Sequence, residues 1–366
     1  MAWKAAKTRR SKNRPSLIKG DRRKDHRDTR INMVNPKAYL APEVFAKDVK
    51  KTPTRNCYGE GLVIAGEKNP NVVVLCADLS ESTRSEYFQK KFPERFVEVG
   101  VAEQNMASLA AGMALAGKVP FISSYATFSP GRNNEQIRTT IALNDVNVKI
   151  GGAHAGISVG PDGATHQALE DIALMRVMPN MRVIYPCDAI EAKKATAAAA
   201  EIEWPVYIRL AREATPVITT EKTPFKFGKA EIFWQGKDLP AQAGVTIIAS
   251  GPLLYEALLA ASKLQKQGIS AEVINNHTIK PLDQKTILAS VRKTRVVVTV
   301  EEHQVAGGMG SAVVEMLAKN FPVPVEMIGV QDRYGESGKP DELLEAFGLT
   351  AKYIIQAVKR ALRRKR

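Results

Sequence analysis

Short apolar runs alternate with longer amphipathic stretches along most of the chain. Residues Asn71–Ala77, bounded by Pro70 and Asp78, form one such run, which is typical of a strand buried on both faces. Residues 103–116 are rich in Ala, Met and Leu and predict a helix. The alternation continues with strands predicted at Val119–Tyr125, Val146–Gly151, Met181–Tyr185 and Val206–Leu210, and helices at 134–143, 166–176 and 188–201.

A second alternation follows residues 214–242, a proline-containing stretch that we interpret as a domain linker. Strands that alternate with helices predict mostly parallel sheets covered on both faces. The sequence therefore predicts an α/β protein, with a doubly wound domain at 38–225 and a smaller α/β domain at 226–358. The later strands are predicted at Val245–Ala249, Ser270–Asn275, Arg295–Val300 and Val325–Ile328, and the later helices at Leu254–Gln267, Asp283–Val291, Gly310–Lys319 and 341–347.

The 366 residues carry a formal net charge of +15, and this charge is concentrated at the two ends. Residues 1–30 hold 12 basic and three acidic side chains, and residues 359–366 hold six basic and no acidic ones, which accounts for the whole excess. Residues 1–37 contain few apolar side chains, so we predict a disordered basic extension there and a basic tail at 359–366. The neutral body between them argues against a nucleic-acid-binding fold.

The cysteines give no sign of a disulfide framework or a zinc site. Cys57, Cys76 and Cys187 lie far apart and form no Cys-x-x-Cys pair. No apolar run is long enough for a membrane span, and the basic N-terminal stretch has no apolar signal region. We therefore expect a cytoplasmic protein.

Glu103 stands at the start of a helix whose following turns are almost entirely apolar. A carboxylate at this position can simply interact with the helix dipole. Alternatively, it is a carboxyl group in a poorly hydrated cleft, able to share a proton with a basic ring nitrogen.

A glycine-rich loop at residues 151–167 directly follows a predicted strand and contains His154, Asp162 and His166. Loops after strand C-termini are where α/β sheets place their sites, and glycine lets backbone approach a ligand closely. The alternative is a long turn with incidental histidines.

Three further segments allow two interpretations each. Tyr125 and Phe128, at a strand end, are either core residues or a flat wall for a heteroaromatic ring. Arg212 follows a predicted strand and either grips a phosphate or is a solvated surface residue. The turn Gly307–Gly310 precedes a helix, where tight packing is a simpler explanation than anion binding.

Together these segments resemble the C-terminal half of transketolase. The resemblance runs from Thr52 to Val330 and is carried by the run 101–106 (Val-Ala-Glu-Gln-Asn-Met), the glycine-rich loop and Arg212, in the family's order. It implies a pyrimidine-binding domain, a transketolase C-terminal domain and bound thiamine diphosphate. The family's Gly-Asp-Gly metal motif does not occur in this sequence, so the resemblance implies a split enzyme. Its partner, an N-terminal transketolase subunit, would bind the diphosphate and Mg²⁺, in a heterotetramer that contains a dimer of this chain.

The resemblance also implies roles for individual residues. Glu103 matches the glutamate that bonds the cofactor's pyrimidine ring nitrogen. Matches to cofactor-binding positions are Tyr125, Phe128, His166 and Asp78. Matches to substrate-binding positions are Arg55, Ser82, His154, Asp162 and Arg212. The stretch 129–134 departs from the family, because it lacks common aromatic residues and is one residue longer than in some relatives.

The leading hypothesis is thus ketol transfer between phosphorylated sugars. Two related enzymes share the architecture, 1-deoxyxylulose-5-phosphate synthase and the beta subunit of a 2-oxo-acid dehydrogenase. A non-enzymatic alternative is an inert half-enzyme whose basic ends bind RNA or another anion.

Overall fold

The apolar runs form the strands of two main sheets in a computed structural model that describes residues 33–236 and 244–365. The first sheet has seven strands in the order β12-β6-β7-β5-β4-β2-β3. Its strands are β2 (Val72–Cys76), β3 (Phe96–Glu98), β4 (Val119–Tyr125), β5 (Lys149–Ala153), β6 (Arg182–Ile184), β7 (Val206–Arg209) and β12 (Thr278–Lys280). All its pairings are parallel except that of β12 with β6.

The second sheet has five strands in the order β14-β13-β10-β11-β9. These are β9 (Glu231–Gln235), β10 (Gly244–Ala249), β11 (Ser270–Asn275), β13 (Val297–Gln304) and β14 (Val325–Val330). Only β9 is antiparallel to its neighbour. A two-stranded ribbon pairs β1 (Lys51–Pro53) with β8 (Ala214–Pro216).

Helices cover both faces of the sheets, because each buries an apolar or small-residue stripe. In α4, for example, Met106, Ala107 and Ala110 are fully buried, and alanine lets the helix approach the sheet closely. The helices are α1 (Thr54–Lys68), α2 (Ser80–Thr83), α3 (Glu86–Lys91), α4 (Glu103–Leu115), α5 (Asn134–Gln136), continued by a π-helical turn at Ile137–Ala142, α6 (Asp171–Val177), α7 (Ala189–Ala199), α8 (Leu254–Gln265), α9 (Gln284–Thr294), α10 (Met309–Asn320), α11 (Pro340–Ala346) and α12 (Ala351–Arg363). The predicted α/β class with mostly parallel sheets is confirmed. Within the described ranges, no helix combines the length and apolar character needed to cross a membrane.

The stretch interpreted as a linker contributes to the fold. It holds β8 and β9. Phe233 and Trp234 of β9 are buried in the hydrophobic core that packs against the second sheet. Interpreting all of 214–242 as a linker is therefore wrong, because β8 and β9 within it are parts of the folded sheets. Residues 237–243 lie outside the described residues.

The predicted extension and tail also differ from the structure. Residues 1–32 lie outside the described residues, but Asn35 donates a backbone hydrogen bond to Phe233 at 3.0 Å, so 33–37 are part of the fold. At the other end, α12 continues to Arg363. Arg360 and Arg364 pair with Glu326 at 3.0 Å and 2.6 Å, so most of the predicted tail is a helix end docked on β14.

Candidate active site

The carboxyl ends of the parallel strands bring the predicted residues to one edge of the first sheet. Tyr125 is the last residue of β4, His154 directly follows β5, and Arg212 lies three residues beyond β7. Parallel strands point the same way, so residues that follow them in sequence gather at a common edge.

Four rings form an aromatic cluster at this edge, consisting of Tyr125, Phe128, His154 and His166. The ring centroids of Tyr125 and His154 lie 3.9 Å apart, and those of Tyr125 and Phe128 lie 5.8 Å apart with nearly parallel planes. His166 contacts Phe128 edge-on at 5.5 Å, and its Nδ1 lies 2.9 Å from the hydroxyl of Thr165. The cluster presents flat apolar surface together with ring nitrogens, as a heteroaromatic ligand requires.

His154 connects this cluster to Arg55. Its Nε2 lies 3.4 Å from Nη1 of Arg55, which also donates to the backbone carbonyl of Ser82 at 2.9 Å. The Nδ1 of His154 and the Nε of Arg55 are buried and have no hydrogen-bond partner among the described residues. Buried polar atoms normally have partners, so these two atoms indicate a place for a bound polar group.

The imidazole of His154 is expected to stay neutral between about pH 5 and pH 8. Burial, together with Arg55 and Arg212, lowers its pKa to about 3. Since the folded-state pKa is below the unfolded one, the group stabilises the fold above about pH 6.5 and loses that contribution as the pH falls. Ring-carbon NMR titration of the histidine-labelled chain, with His154→Gln to assign the signal, measures this. A midpoint between pH 5 and pH 8 would contradict it.

Glu103 begins α4 and is 2% exposed. Both of its carboxylate oxygens accept hydrogen bonds from Nη1 of Arg132, at 3.0 Å and 2.9 Å, and its carbonyl accepts from Nδ2 of Asn133 at 3.0 Å. The guanidinium of Arg132, which is 48% exposed, lies 4.6 Å from the ring centroid of Phe128. The charge of Glu103 is thus balanced at the border of the aromatic cluster.

Sequence reasoning did not single out Arg132. The residue lies in the stretch 129–134, where the chain departs from the family pattern. The available signal in the sequence is a basic residue four positions after Phe128.

Arg212 and Asp162 form a further pair of charged residues whose guanidinium acts electrostatically on His154. Arg212 donates to the carbonyl of Val159 at 2.8 Å, and its Nε lies 4.0 Å from the carboxylate of Asp162. Burial and the nearby Arg84 and Arg212 lower the pKa of Arg55, a sign of crowded positive charge. A crowded set of guanidinium groups favours an anionic ligand.

Contacts therefore connect seven of the ten predicted site residues, directly or through Arg132, while Arg212 and Asp162 form a separate charged pair nearby. Asp78 belongs to neither group. It lies at the same sheet edge, after β2, but it is exposed, and its backbone N–H donates to Glu98 at 2.8 Å. Its φ of 58° places it in the left-handed region, which fits the sharp turn after the strand. The turn Gly307–Gly310 is occupied by the protein's own carboxyl group, because Glu301 accepts from the N–H groups of Met309 and Gly310.

Profiles of two transketolase domains match successive parts of the chain. The profile of the transketolase pyrimidine-binding domain matches residues 50–217, and that of the transketolase C-terminal domain matches residues 229–354. The first match contains all ten predicted site residues.

Individual relatives agree with the profiles. The chain is 47% identical to a protein of Methanocaldococcus jannaschii named as a transketolase C-terminal section, over 83% of this chain and 94% of that one. It is 42% identical to the 6-deoxy-6-sulfo-D-fructose transketolase subunit SqwH of Clostridium sp., over 85% and 95%. Against mouse transketolase the identity is 39%, over 90% of this chain but only 51% of the relative.

A solved structure gives the same result. A split-gene transketolase described as an inactive beta4 tetramer superposes with a TM-score of 0.79 and 47% identity, covering 86% of this chain and 99% of that chain. The fold, the order of the motifs and these relatives agree, and the chain therefore belongs to the transketolase family.

Proposed function

We propose that this chain is the C-terminal subunit of a split transketolase, which transfers a two-carbon ketol unit between phosphorylated sugars with thiamine diphosphate. The observation that carries the proposal is the convergence of Glu103, the aromatic cluster and the Arg55, His154 and Arg212 group at one sheet edge. Relatives of nearly the same length, named as a transketolase section or subunit, support the split organisation.

The residues at this edge fit the pyrimidine end of the cofactor. Tyr125 and Phe128 supply ring faces, and His166 and Asp78 border the same edge. The orphaned Nδ1 of His154 provides a further polar contact. When bound, thiamine diphosphate supplies the electron sink for breaking and forming the carbon–carbon bond.

Glu103 is the proposed catalytic residue because of its position and environment. It is shielded from water, lies at a helix N-terminus and has both oxygens directed at the border of the aromatic cluster. A carboxylate held in this way can accept a hydrogen bond from a ring N–H and exchange a proton with that nitrogen. Arg132 would orient the carboxylate, since both of its contacts go to the same Nη1.

The proposed sugar-phosphate site uses the arginines around His154. Arg55 and Arg212 can hold a phosphate by charge-assisted hydrogen bonds, and burial together with the nearby Arg84 and Arg212 lowers the pKa of Arg55. Asp162, exposed beside Arg212, is suited to a sugar hydroxyl. Ser82 lies within reach of Arg55 and can join the phosphate contacts.

The partner would be an N-terminal transketolase subunit that binds the diphosphate and Mg²⁺. Exposed apolar side chains on and near α4 support a protein interface on this face, within a heterotetramer that contains two copies of this chain. They are Val101, Leu109, Leu115, Leu143 and Val177. The three buried free thiols are consistent with the proposed cytoplasmic location.

One relative suggests a second substrate class. SqwH is named for a sulfonated fructose, and a sulfonate is also a tetrahedral anion. We favour phosphate because a cluster of guanidinium groups best balances a dianion.

The deciding experiment is co-purification of the chain with its partner from the native host, followed by a ketol-transfer assay. We expect activity that depends on thiamine diphosphate and on both subunits, with phosphorylated sugars preferred over sulfonated ones. Each subunit alone is the control. Full activity of this chain alone would refute the split organisation.

Other outcomes separate the alternatives. Turnover of a 2-oxo acid by the pair would favour the related synthase or dehydrogenase. An inactive pair whose RNA affinity falls with salt, and is lost on deletion of the basic residues 1–32, would favour the non-enzymatic alternative of an RNA-binding protein.

A further inference from the structure

The C-terminal domain contributes none of the predicted site residues, yet it holds the loop that carries two of them. This loop, residues 156–167, includes Asp162 and His166. The backbone N–H of Ser158 donates to Oε1 of Glu302 at 2.6 Å, and Glu302 lies in β13 of the C-terminal domain with 1% exposure. Arg209 of the first domain donates to the backbone carbonyl of Glu302 at 3.0 Å, which ties the main chain of β13 to the first domain at this residue.

A second contact crosses between the domains at the other end of the loop. Nε2 of Gln167 donates to the carbonyl of Ile157 at 3.1 Å and to that of Glu336 at 3.0 Å. The loop thus closes on itself and binds the segment between β14 and α11 through the same amide.

The loop and the segment before α11 are closely packed at two glycines. Gly160 and Gly163 have φ values of 83° and 72°, which favour glycine. A Cβ at Gly160 would lie 3.1 Å from Pro340, and one at Gly163 would lie 2.6 Å from Oγ of Ser337. The loop therefore packs closely against the C-terminal domain at both glycines.

We propose that Glu302 is a positioning residue through which the C-terminal domain sets the affinity for the phosphorylated sugar. By holding Ser158, it places the neighbouring Val159 carbonyl, which binds Arg212, and the following Asp162. The proposal rests on the proposed function, since it concerns the same substrate site. It gives the C-terminal domain a part in substrate binding without any contact with substrate.

The chain offers a matched control next to Glu302. Glu301 is also 1% exposed and lies on the same strand, and its carboxylate also accepts backbone N–H bonds, from Met309 and Gly310 at 2.7 Å each. These bonds stay within the C-terminal domain, at the start of α10. If Glu302 acted only by stabilising the C-terminal domain, replacing Glu301 and replacing Glu302 should therefore have equal effects.

The first test is hydrogen–deuterium exchange of the full chain, which needs no cofactor or partner. In Glu302→Ala the amide of Ser158 loses its acceptor, so we expect exchange in peptides covering 156–167 to accelerate by about tenfold. Glu302→Gln keeps an oxygen acceptor and should restore protection, and Glu301→Ala should leave this loop unchanged. Unchanged protection in Glu302→Ala would overturn the proposal.

The second test is kinetic and uses the reconstituted pair. We expect Glu302→Ala to raise KM for the phosphorylated sugar by about tenfold while kcat and the Kd of thiamine diphosphate stay within about twofold. If this variant does not fold, Glu302→Asp, which retains the charge but is one methylene shorter, should show the same rise in KM. Glu302→Gln should return KM to near the wild-type value.

The two proposals fail in different ways. Equal changes in KM for Glu301→Ala and Glu302→Ala, or an equal rise in the Kd of the cofactor, would overturn the positioning role. An inactive wild-type pair would instead overturn the proposed function, and the exchange experiment would still decide whether Glu302 holds the loop.

Discussion

Replacing Glu103 with alanine is expected to lower ketol transfer by the reconstituted pair by about 10³-fold. Among the residues that the structure describes, Glu103 is the acidic group joined to the aromatic cluster through Arg132, and the proposed chemistry needs an acid–base group there. Arg132 is 48% exposed and can be solvated when its partner is removed, so the fold should survive. Steady-state kcat at saturating cofactor is the measurement.

Two further variants separate the proton-exchange role from packing. Glu103→Gln keeps the shape and one acceptor oxygen but not the ionisable group, and we expect it to be nearly as inactive as alanine. Gln104→Ala alters the exposed neighbour on the same helix turn and should turn over normally. Turnover of Glu103→Ala close to that of the wild type would refute the assignment.

The largest effect on stability is expected from Arg209→Leu, which should lower the free energy of unfolding by about 4 kcal/mol. Arg209 is fully buried and donates to Asp171 at 2.7 Å and 3.2 Å, while the hydroxyl of Tyr207 donates to the same carboxylate at 2.6 Å. Burial raises the pKa of Asp171, but Arg209, His303 and the hydroxyl of Tyr207 together outweigh burial and lower that pKa. Removing Arg209 leaves an uncompensated buried charge.

Urea denaturation measures this loss, and two comparisons test its cause. The double variant Arg209→Leu with Asp171→Leu should recover part of the stability, because no unpaired charge remains. Lys68→Met breaks an exposed pair with Glu201 and should cost less than about 1 kcal/mol. A similarly small loss for Arg209→Leu would contradict the expectation.

The sequence predicts the fold best where one strand forms one bounded apolar run. The bounds of β4 and β11 coincide with Val119–Tyr125 and Ser270–Asn275 as predicted. The strands β1, β8 and β12 have three residues each and pair with distant segments, so no local pattern marks them. The helix α12 was partly hidden by its charges, although its buried Ile354, Ala357, Val358 and Ala361 follow a helical spacing.

The candidate site was predictable where a residue type follows a strand or begins a helix. Such positions include Glu103, Tyr125 and His154, which local pattern and family resemblance both select. Arg132 and Glu302 could not be found in this way. Arg132 pairs with a residue 29 positions away, and Glu302 holds a residue 144 positions away, so their significance exists only in the folded chain.

The crossing of β12 into the first sheet limits where this polypeptide could be divided. β12 comes from beyond β11, yet it pairs with β6 and covers the edge of the first sheet. A chain break between the two family domains would separate β12 from that sheet and leave Arg182–Ile184 with unpaired backbone groups, a surface prone to aggregation. We therefore expect a break between these domains to impair folding of the first sheet, so the two domains depend on each other as one folding unit.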